Sequence, residues 1–174
     1  MQNLNKILAF CLLCTLAGPL YSLPDDRQKP IHIESNQAER DEKGGTTVYE
    51  GNVIIKQGTI LIRAEKVTVF STTEGVSKII CKGKPAHYQQ LPKMDGSMVL
   101  ASGNTIEYRP ALDQIQLIDN ASLEQDGTII TGERIDYDVT SEVLKAKSDN
   151  TGRKRIQMLI PPTPQAKSAN KETN

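Results

Sequence analysis

Large aromatic residues, histidine and cysteine are scarce in this 174-residue chain, which has no tryptophan and only two phenylalanines. Its two histidines, His32 and His87, both lie in strand-like runs, where a histidine is usually packed or surface-exposed and is not a base. The sequence shows no Ser-His-Asp order, paired-carboxylate motif, phosphate-binding loop or cluster with metal-ligand spacing. We therefore expect no enzyme activity, no cofactor and no metal.

An excess of charge of one sign is also missing. Lys+Arg and Asp+Glu each number 21, and Lys6 is the single charged residue before residue 23, so the chain after residue 22 holds 20 basic and 21 acidic residues. A protein that binds nucleic acid needs a basic surface, which this balance does not provide. The same balance gives no general attraction to an anionic membrane.

No apolar run is long enough for a stable membrane span. Residues 7–20 follow Lys6 and are mostly apolar, but several cysteine, threonine, glycine and proline residues interrupt them. This pattern predicts a cleavable export signal, with cleavage after Ser22 and Gly18 as the alternative. The residues before Cys11 and Cys14 do not follow the lipoprotein pattern, so we expect a soluble mature protein.

Cleavage would leave Cys81 as the single cysteine, which excludes an intramolecular disulfide even in an oxidising compartment. We expect Cys81 to act as a small apolar residue within a strand. Residues 163–174 are rich in Pro, Lys, Asn and Thr, and we predict a disordered tail there.

Apolar β-branched residues alternate with polar ones over most of the remaining chain. A period of two predicts β-strands, which we place at Ile31–Ile33, Ile60–Ala64, Val67–Val69, Ile106–Tyr108, Ile115–Leu117, Ile135–Tyr137 and Ile156–Ile160. Turn residues punctuate these runs at 42–45, 57–58, 92–96, 126–127 and 149–152, and Asp126-Gly127 is the clearest hairpin signal. A short helix over residues 34–41 is the weaker alternative. The sequence predicts an all-β fold of antiparallel strands.

The chain also contains an internal repeat with an offset of 68 residues. A pattern of apolar, any, small, polar, any and apolar residues recurs at Ile33–Ala38, Ile62–Val67, Ala101–Ile106 and Ile130–Ile135. Gly51-Asn52-Val53 matches Asp119-Asn120-Ala121 at the same offset, and we infer one inserted residue where Gly58-Thr59-Ile60 matches Gly127-Thr128-Ile129. We predict that the small residues mark bends, namely Ser35, Ala64, Gly103 and Gly132. Such repeated units can bury their apolar faces in a two-sheet jelly roll or in a short stack.

Three further segments carry a family resemblance. Pro30-Ile31-His32-Ile33-Glu34-Ser35, Gly51 to Val67 and Gly83-Lys84-Pro85-Ala86 with Tyr88 resemble the OstA-like family of periplasmic lipopolysaccharide-transport bridge proteins. The likeness covers roughly residues 30–162, so we expect one domain over residues 23–162 between the signal (1–22) and the tail (163–174). At His87-Tyr88 this chain departs from the family, which often has a larger apolar aromatic residue there.

The resemblance implies a twisted, V-shaped β-jelly roll in the periplasm that binds lipopolysaccharide, with its lipid A acyl chains inside and its sugars in water. It implies head-to-tail copies, and inner-membrane-anchored and outer-membrane transport proteins with related domains as partners. With the alternation, it predicts the groove residues Ile31, Ile33, Val53, Ile55, Ile60, Ile62, Val67, Val69, Tyr88, Ile106, Tyr108, Ile115, Leu117, Leu123, Ile130 and Ile135. Taken singly, each residue is better explained as ordinary sandwich core. An interior with no tryptophan and little phenylalanine fills space poorly, which favours a groove.

The two ends of the domain predict a second function. Exposed strand edges are usually blocked, and the terminal runs lack strong blocking. We predict that the C-terminal edge of one molecule pairs with the N-terminal edge of the next through Ile31, His32, Ile33, Ile156, Gln157, Met158, Leu159 and Ile160. The alternative is that Arg153-Lys154-Arg155 protects this end by charge. These cations could also meet lipid phosphates, although a solvated face is the simpler interpretation.

A structural alternative stands beside the carrier hypothesis. A secreted β-repeat protein that acts only as an envelope scaffold or adhesin would share the signal, the strands and the repeat. Binding of lipid separates the two hypotheses, because only the carrier needs an interior that holds acyl chains.

Overall fold

The computed structural model describes residues 26–93, 96–149, 151 and 155–162. The described residues form ten strands and two short 3-10 turns, Asp26–Gln28 and Pro110–Leu112. The strands are β1 (His32–Glu34), β2 (Gln37–Asp41), β3 (Thr46–Gln57), β4 (Ile60–Thr72), β5 (Gly75–Gln90), β6 (Val99–Arg109), β7 (Gln114–Gln125), β8 (Thr128–Asp138), β9 (Val143–Lys147) and β10 (Gln157–Leu159). The all-β prediction is confirmed. The alternative of a helix over 34–41 is wrong, because Gln37–Asp41 pairs with β3 as a strand.

The expected signal and tail lie outside the described residues, as do Arg153 and Lys154. All ten strands belong to one antiparallel sheet with the order β1-β3-β4-β5-β6-β7-β8-β10. β2 pairs with the part of β3 that β1 does not reach. In the same way, β9 pairs with the part of β8 that β10 does not reach. Each end of the sheet therefore has two short edge strands.

A line of irregularities crosses the long strands near their middle. The pairing register shifts between Glu50 and Val53, between Arg63 and Lys66, and at the matching points of the later strands. We call this line the crease. It divides the sheet into half-sheet A, which includes β1 and β10, and half-sheet B, which includes β2 and β9. The two half-sheets face each other, as hydrogen bonds between their inner faces show.

Small residues lie on the crease because backbone approaches them closely there. A Cβ on Gly103 would lie 3.2 Å from the carbonyl oxygen of Thr105 and 3.3 Å from that of Ile118. A Cβ on Gly132 would lie 3.1 Å from the carbonyl oxygen of Lys147. Ala64 falls within the register shift of β4. The prediction that small residues mark bends is confirmed for Ala64, Gly103 and Gly132.

The internal repeat corresponds to two equivalent hairpins. β3 and β7 are offset by 68 residues at both ends, and each leads into a two-residue turn. Asp126 and Gly127 both have positive φ, 54° and 73°, as a tight hairpin of this kind requires. The inferred insertion is wrong, because Ile60 and Thr128 occupy the same position after their turns.

Candidate functional site

One apolar row crosses half-sheet A from edge to edge. Each member lies directly opposite the next on the neighbouring strand, so the row is set by the strand register. We call it row A; it consists of Ile33, Ile55, Ile62, Tyr88, Ala101, Leu123, Ile130 and Met158. It joins β1 at one end of the molecule to β10 at the other.

Half-sheet B carries a matching row on its inner face. Row B consists of Ala38, Tyr49, Val67, Cys81, Ile106, Leu117, Ile135 and Ala146, again in direct register from β2 to β9. The central members of both rows are buried against the opposite half-sheet, whereas Ile33, Tyr49, Ile130 and Ala146 near the ends are only partly buried. The apolar interior is therefore continuous along the molecule and becomes more accessible toward its ends.

The structure places all sixteen predicted groove residues in this interior. Thirteen are buried, and Ile31, Ile33 and Ile130 are partly buried. The predicted groove set leaves out other buried members of the core, namely Ile79, Cys81, Ala86, Val99, Ala101, Ala121, Tyr137 and Val139. Consecutive apolar residues hide the alternation around Ile79 and Val99, but Tyr137 could have been found because it lies 68 residues after Val69.

Amide and phenol groups close the interior on the side away from the crease, which we call the mouth. The Tyr108 hydroxyl of half-sheet B donates to Gln57 Oε1 of half-sheet A over 3.1 Å. The Tyr88 hydroxyl donates to Gln90 Oε1 over 2.5 Å, and Tyr137 donates to Gln125 in the same way over 3.4 Å. Burial raises the pKa values of the Tyr88 and Tyr137 hydroxyls above the usual value of a tyrosine, so these phenols remain proton donors.

Cys81 lies in row B and has no solvent contact. Burial raises the pKa of its thiol to about 12 from 9.0, which lowers the thiolate fraction at pH 8 by about a thousandfold. We expect a thiol reagent to label Cys81 in the folded protein at least ~100-fold more slowly than in urea. The measurement is the rate of alkylation at pH 8, with Cys81→Ala as the unlabelled control. Rates within tenfold of each other would show that the interior opens freely.

The predicted partner edges differ in exposure. Met158 is 57% and Leu159 58% exposed, and Ile156 and Ile160 are exposed beside them. At the other end, His32 is exposed while Ile31 and Ile33 are partly buried. Within the described part of the chain, β10 pairs with β8 alone and β1 with β3 alone. Each strand therefore has one side free for a further strand.

The outer face of half-sheet B carries polar side chains on β7 and β8 that pair with one another. Gln116 donates to Asp136 over 2.7 Å, Gln114 donates to Asp138 over 2.8 Å, and Arg134 bonds to Asp136 as well.

Over residues 26–162, apart from the undescribed positions, no group of three or more His, Cys, Asp or Glu is arranged to hold a metal ion. Among the same residues, no helix has the length and apolarity that a membrane span requires.

A single antiparallel sheet that folds along a crease around an apolar interior, with short edge strands at each end, defines an open β-jelly roll. The family model described as LptA/(LptD N-terminal domain) LPS transport protein matches residues 32–143. The chain therefore belongs to this family of lipopolysaccharide transport proteins. The OstA-like resemblance seen in the sequence is confirmed.

Individual relatives agree with this assignment. The chain is 34% identical to the lipopolysaccharide export system protein LptH of Pseudomonas aeruginosa, over 95% of this chain and 99% of that one. It is 35% identical to the lipopolysaccharide export system protein LptA of Escherichia coli K12, over 98% of this chain and 92% of that one. A crystal structure of LptH, the periplasmic LptA homologue of Pseudomonas aeruginosa, matches with a TM-score of 0.75 over 80% of this chain and 100% of that one.

Proposed function

We propose that this protein carries lipopolysaccharide across the periplasm from the inner to the outer membrane, as one component of a multi-protein bridge. It is exported by a signal that is cleaved after Ser22, and it holds lipid A acyl chains between the two half-sheets while the sugars stay in water. Its partners are lipopolysaccharide-transport proteins with related domains, one anchored in the inner membrane and one in the outer membrane. It catalyses no reaction.

The observation that carries this proposal is the course of row A and row B from edge to edge. Burying hydrocarbon contributes about 0.8 kcal/mol per CH₂, so transfer of one twelve-carbon chain into water costs roughly 9 kcal/mol. A carrier must therefore offer apolar contact along its whole length. The register of the sheet provides this contact without a gap, from Ile33 to Met158 in row A.

The central residues of the interior pack against each other. Acyl chains enter when the half-sheets separate, and the crease is the line about which they can turn. The lipid then replaces apolar contacts that the two rows make with each other. Because one kind of apolar contact replaces another, the free-energy cost of opening is largely offset.

Strand direction supports head-to-tail assembly. Neighbouring strands alternate in direction through half-sheet A, so β1 at one end and β10 at the other run opposite ways. A second copy placed with its β1 beside β10 therefore continues an antiparallel sheet, and row A passes from Met158 into the next Ile33. Half-sheet B gives the same relation between β9 and β2. Such contacts do not close, so they extend into filaments.

Photo-crosslinking in cells tests the carrier function. We expect a photoreactive residue at Ile33 or Tyr108 to capture lipopolysaccharide, because both side chains lie on the inner face. Lys56 is the control: it follows Ile55 of row A but is exposed and forms an ion pair with Glu34 on the outer face. Capture at Lys56 without capture at Ile33 or Tyr108 would favour the scaffold or adhesin hypothesis. Crosslinks at none of the three positions would also contradict a carrier.

A further inference from the structure

A short segment outside the sheet occupies the mouth. We call residues 26–29 the strap; they comprise the 3-10 turn Asp26–Gln28 and Lys29. Asp26 is only 4% exposed although it carries a carboxylate. It lies where the β3–β4 turn and the end of β5 meet, next to the amide and phenol groups described above.

The strap presents oxygen acceptors to donors on the rim of the interior. Asp26 accepts hydrogen bonds from the Thr59 backbone N–H (2.7 Å), the Thr59 hydroxyl (2.6 Å) and Gln90 Nε2 (3.1 Å). Gln57 Nε2 donates to the backbone carbonyl oxygens of Lys29 (3.1 Å) and Arg27 (3.5 Å). Gln57 and Gln90 are themselves buried, so these donors are costly to leave unpaired.

The same donors suit the polar junction of an acylated sugar. They lie where the apolar rows end and water begins, which is where ester and amide carbonyl groups join acyl chains to a sugar. They are uncharged, and they already bind carbonyl and carboxylate oxygens of the strap. We propose, resting on the carrier function above, that the strap occupies the site for the ester and amide carbonyls of the lipid and must leave before the lipid binds.

Gly58 offers an independent way to displace the strap. Its φ is +58°, and a Cβ there would lie 2.0 Å from Asp26 Oδ1. Asp126, the equivalent residue of the second hairpin, adopts φ 54° with a full side chain, so the turn tolerates asparagine. Gly58→Asn therefore ejects Asp26 without removing any group from the strap, whereas Asp26→Ala removes its carboxylate.

The experiment measures binding of fluorescent lipopolysaccharide to the mature protein and its variants. We expect Asp26→Ala and Gly58→Asn each to bind about tenfold more tightly, which corresponds to a strap closed in about 90% of the free protein. Adding Gln90→Ala to Asp26→Ala should then weaken binding about fivefold, because a donor to the lipid is lost. Unchanged or weaker binding by both single variants would overturn the strap proposal but would not contradict the carrier function.

A spin label on the strap gives a second measurement. With Cys81→Ala as background, Lys29→Cys carries the label at an exposed strap position. We expect the label to become more mobile when lipopolysaccharide is added. Bound lipopolysaccharide with an unchanged label would show that the strap stays in place, and would overturn the inference alone. Failure of every variant to bind lipopolysaccharide would overturn the carrier function and the strap site together.

Discussion

Replacement of Leu117 by alanine is expected to lower the free energy of unfolding by about 3 kcal/mol. Leu117 belongs to row B, has no solvent exposure, and lies directly between Ile106 and Ile135. Alanine would leave a cavity that neither neighbouring strand can fill, because both are held in register on either side. The measurement is the midpoint of urea denaturation at an unchanged slope.

Leu100→Ala is the matched control for this experiment. Leu100 lies on the outer face of β6 and is 44% exposed, so the same change of side chain should cost less than about 1 kcal/mol. A loss of less than 1 kcal/mol at Leu117 would show that the interior is loosely packed. That result would contradict the close packing of row A against row B.

Replacement of Met158 by aspartate is expected to weaken head-to-tail assembly at least about a hundredfold. Met158 ends row A, and in the proposed contact its side chain lies beside Ile33 of the next copy. An unpaired carboxylate buried in that apolar junction costs several kcal/mol, and each 1.4 kcal/mol is a factor of ten in affinity. Light scattering over a range of concentrations measures the effect, on a chain that ends after Pro162.

Leu159→Asp controls for the charge itself. Leu159 is adjacent, is 58% exposed against 57% for Met158, and points to the opposite face of β10. We expect this variant to assemble within about fivefold of the wild type, since its carboxylate stays in water. Equal loss in both variants would point to general repulsion at this end. A wild-type chain that stays monomeric at every concentration would contradict edge-to-edge assembly altogether.

Local sequence signals account for the features that depend on neighbouring residues. The alternation around Ile60, Ile62, Val67 and Val69 predicts both the strand and its buried face, because successive side chains of a strand point to opposite sides. Asp126-Gly127 predicts its turn because both residues tolerate positive φ. The 68-residue repeat predicts a second hairpin like the first, and β7 and β8 form it.

Features that depend on contacts between residues far apart in the sequence could be recognised only in the structure. The helix considered over residues 34–41 is strand β2, because pairing with β3 outweighs weak local preference. The supposed insertion after Gln125 disappears once the pairing register is known. The strap gave no signal, because a lone Asp26 in a polar segment looks like any surface residue until its partners are known.

The sequence by itself determined the all-β class, the buried faces of the strands that alternate, the bends at small residues of the crease and the family, because each depends on the period of the chain or on motifs a few residues long. Only the tertiary structure decided which residues form rows across the sheet and what closes the mouth. Gln90 meets Asp26 across 64 residues of chain, and Tyr108 meets Gln57 across 51. Such contacts are set by how the sheet folds along its crease, and no local pattern encodes that geometry.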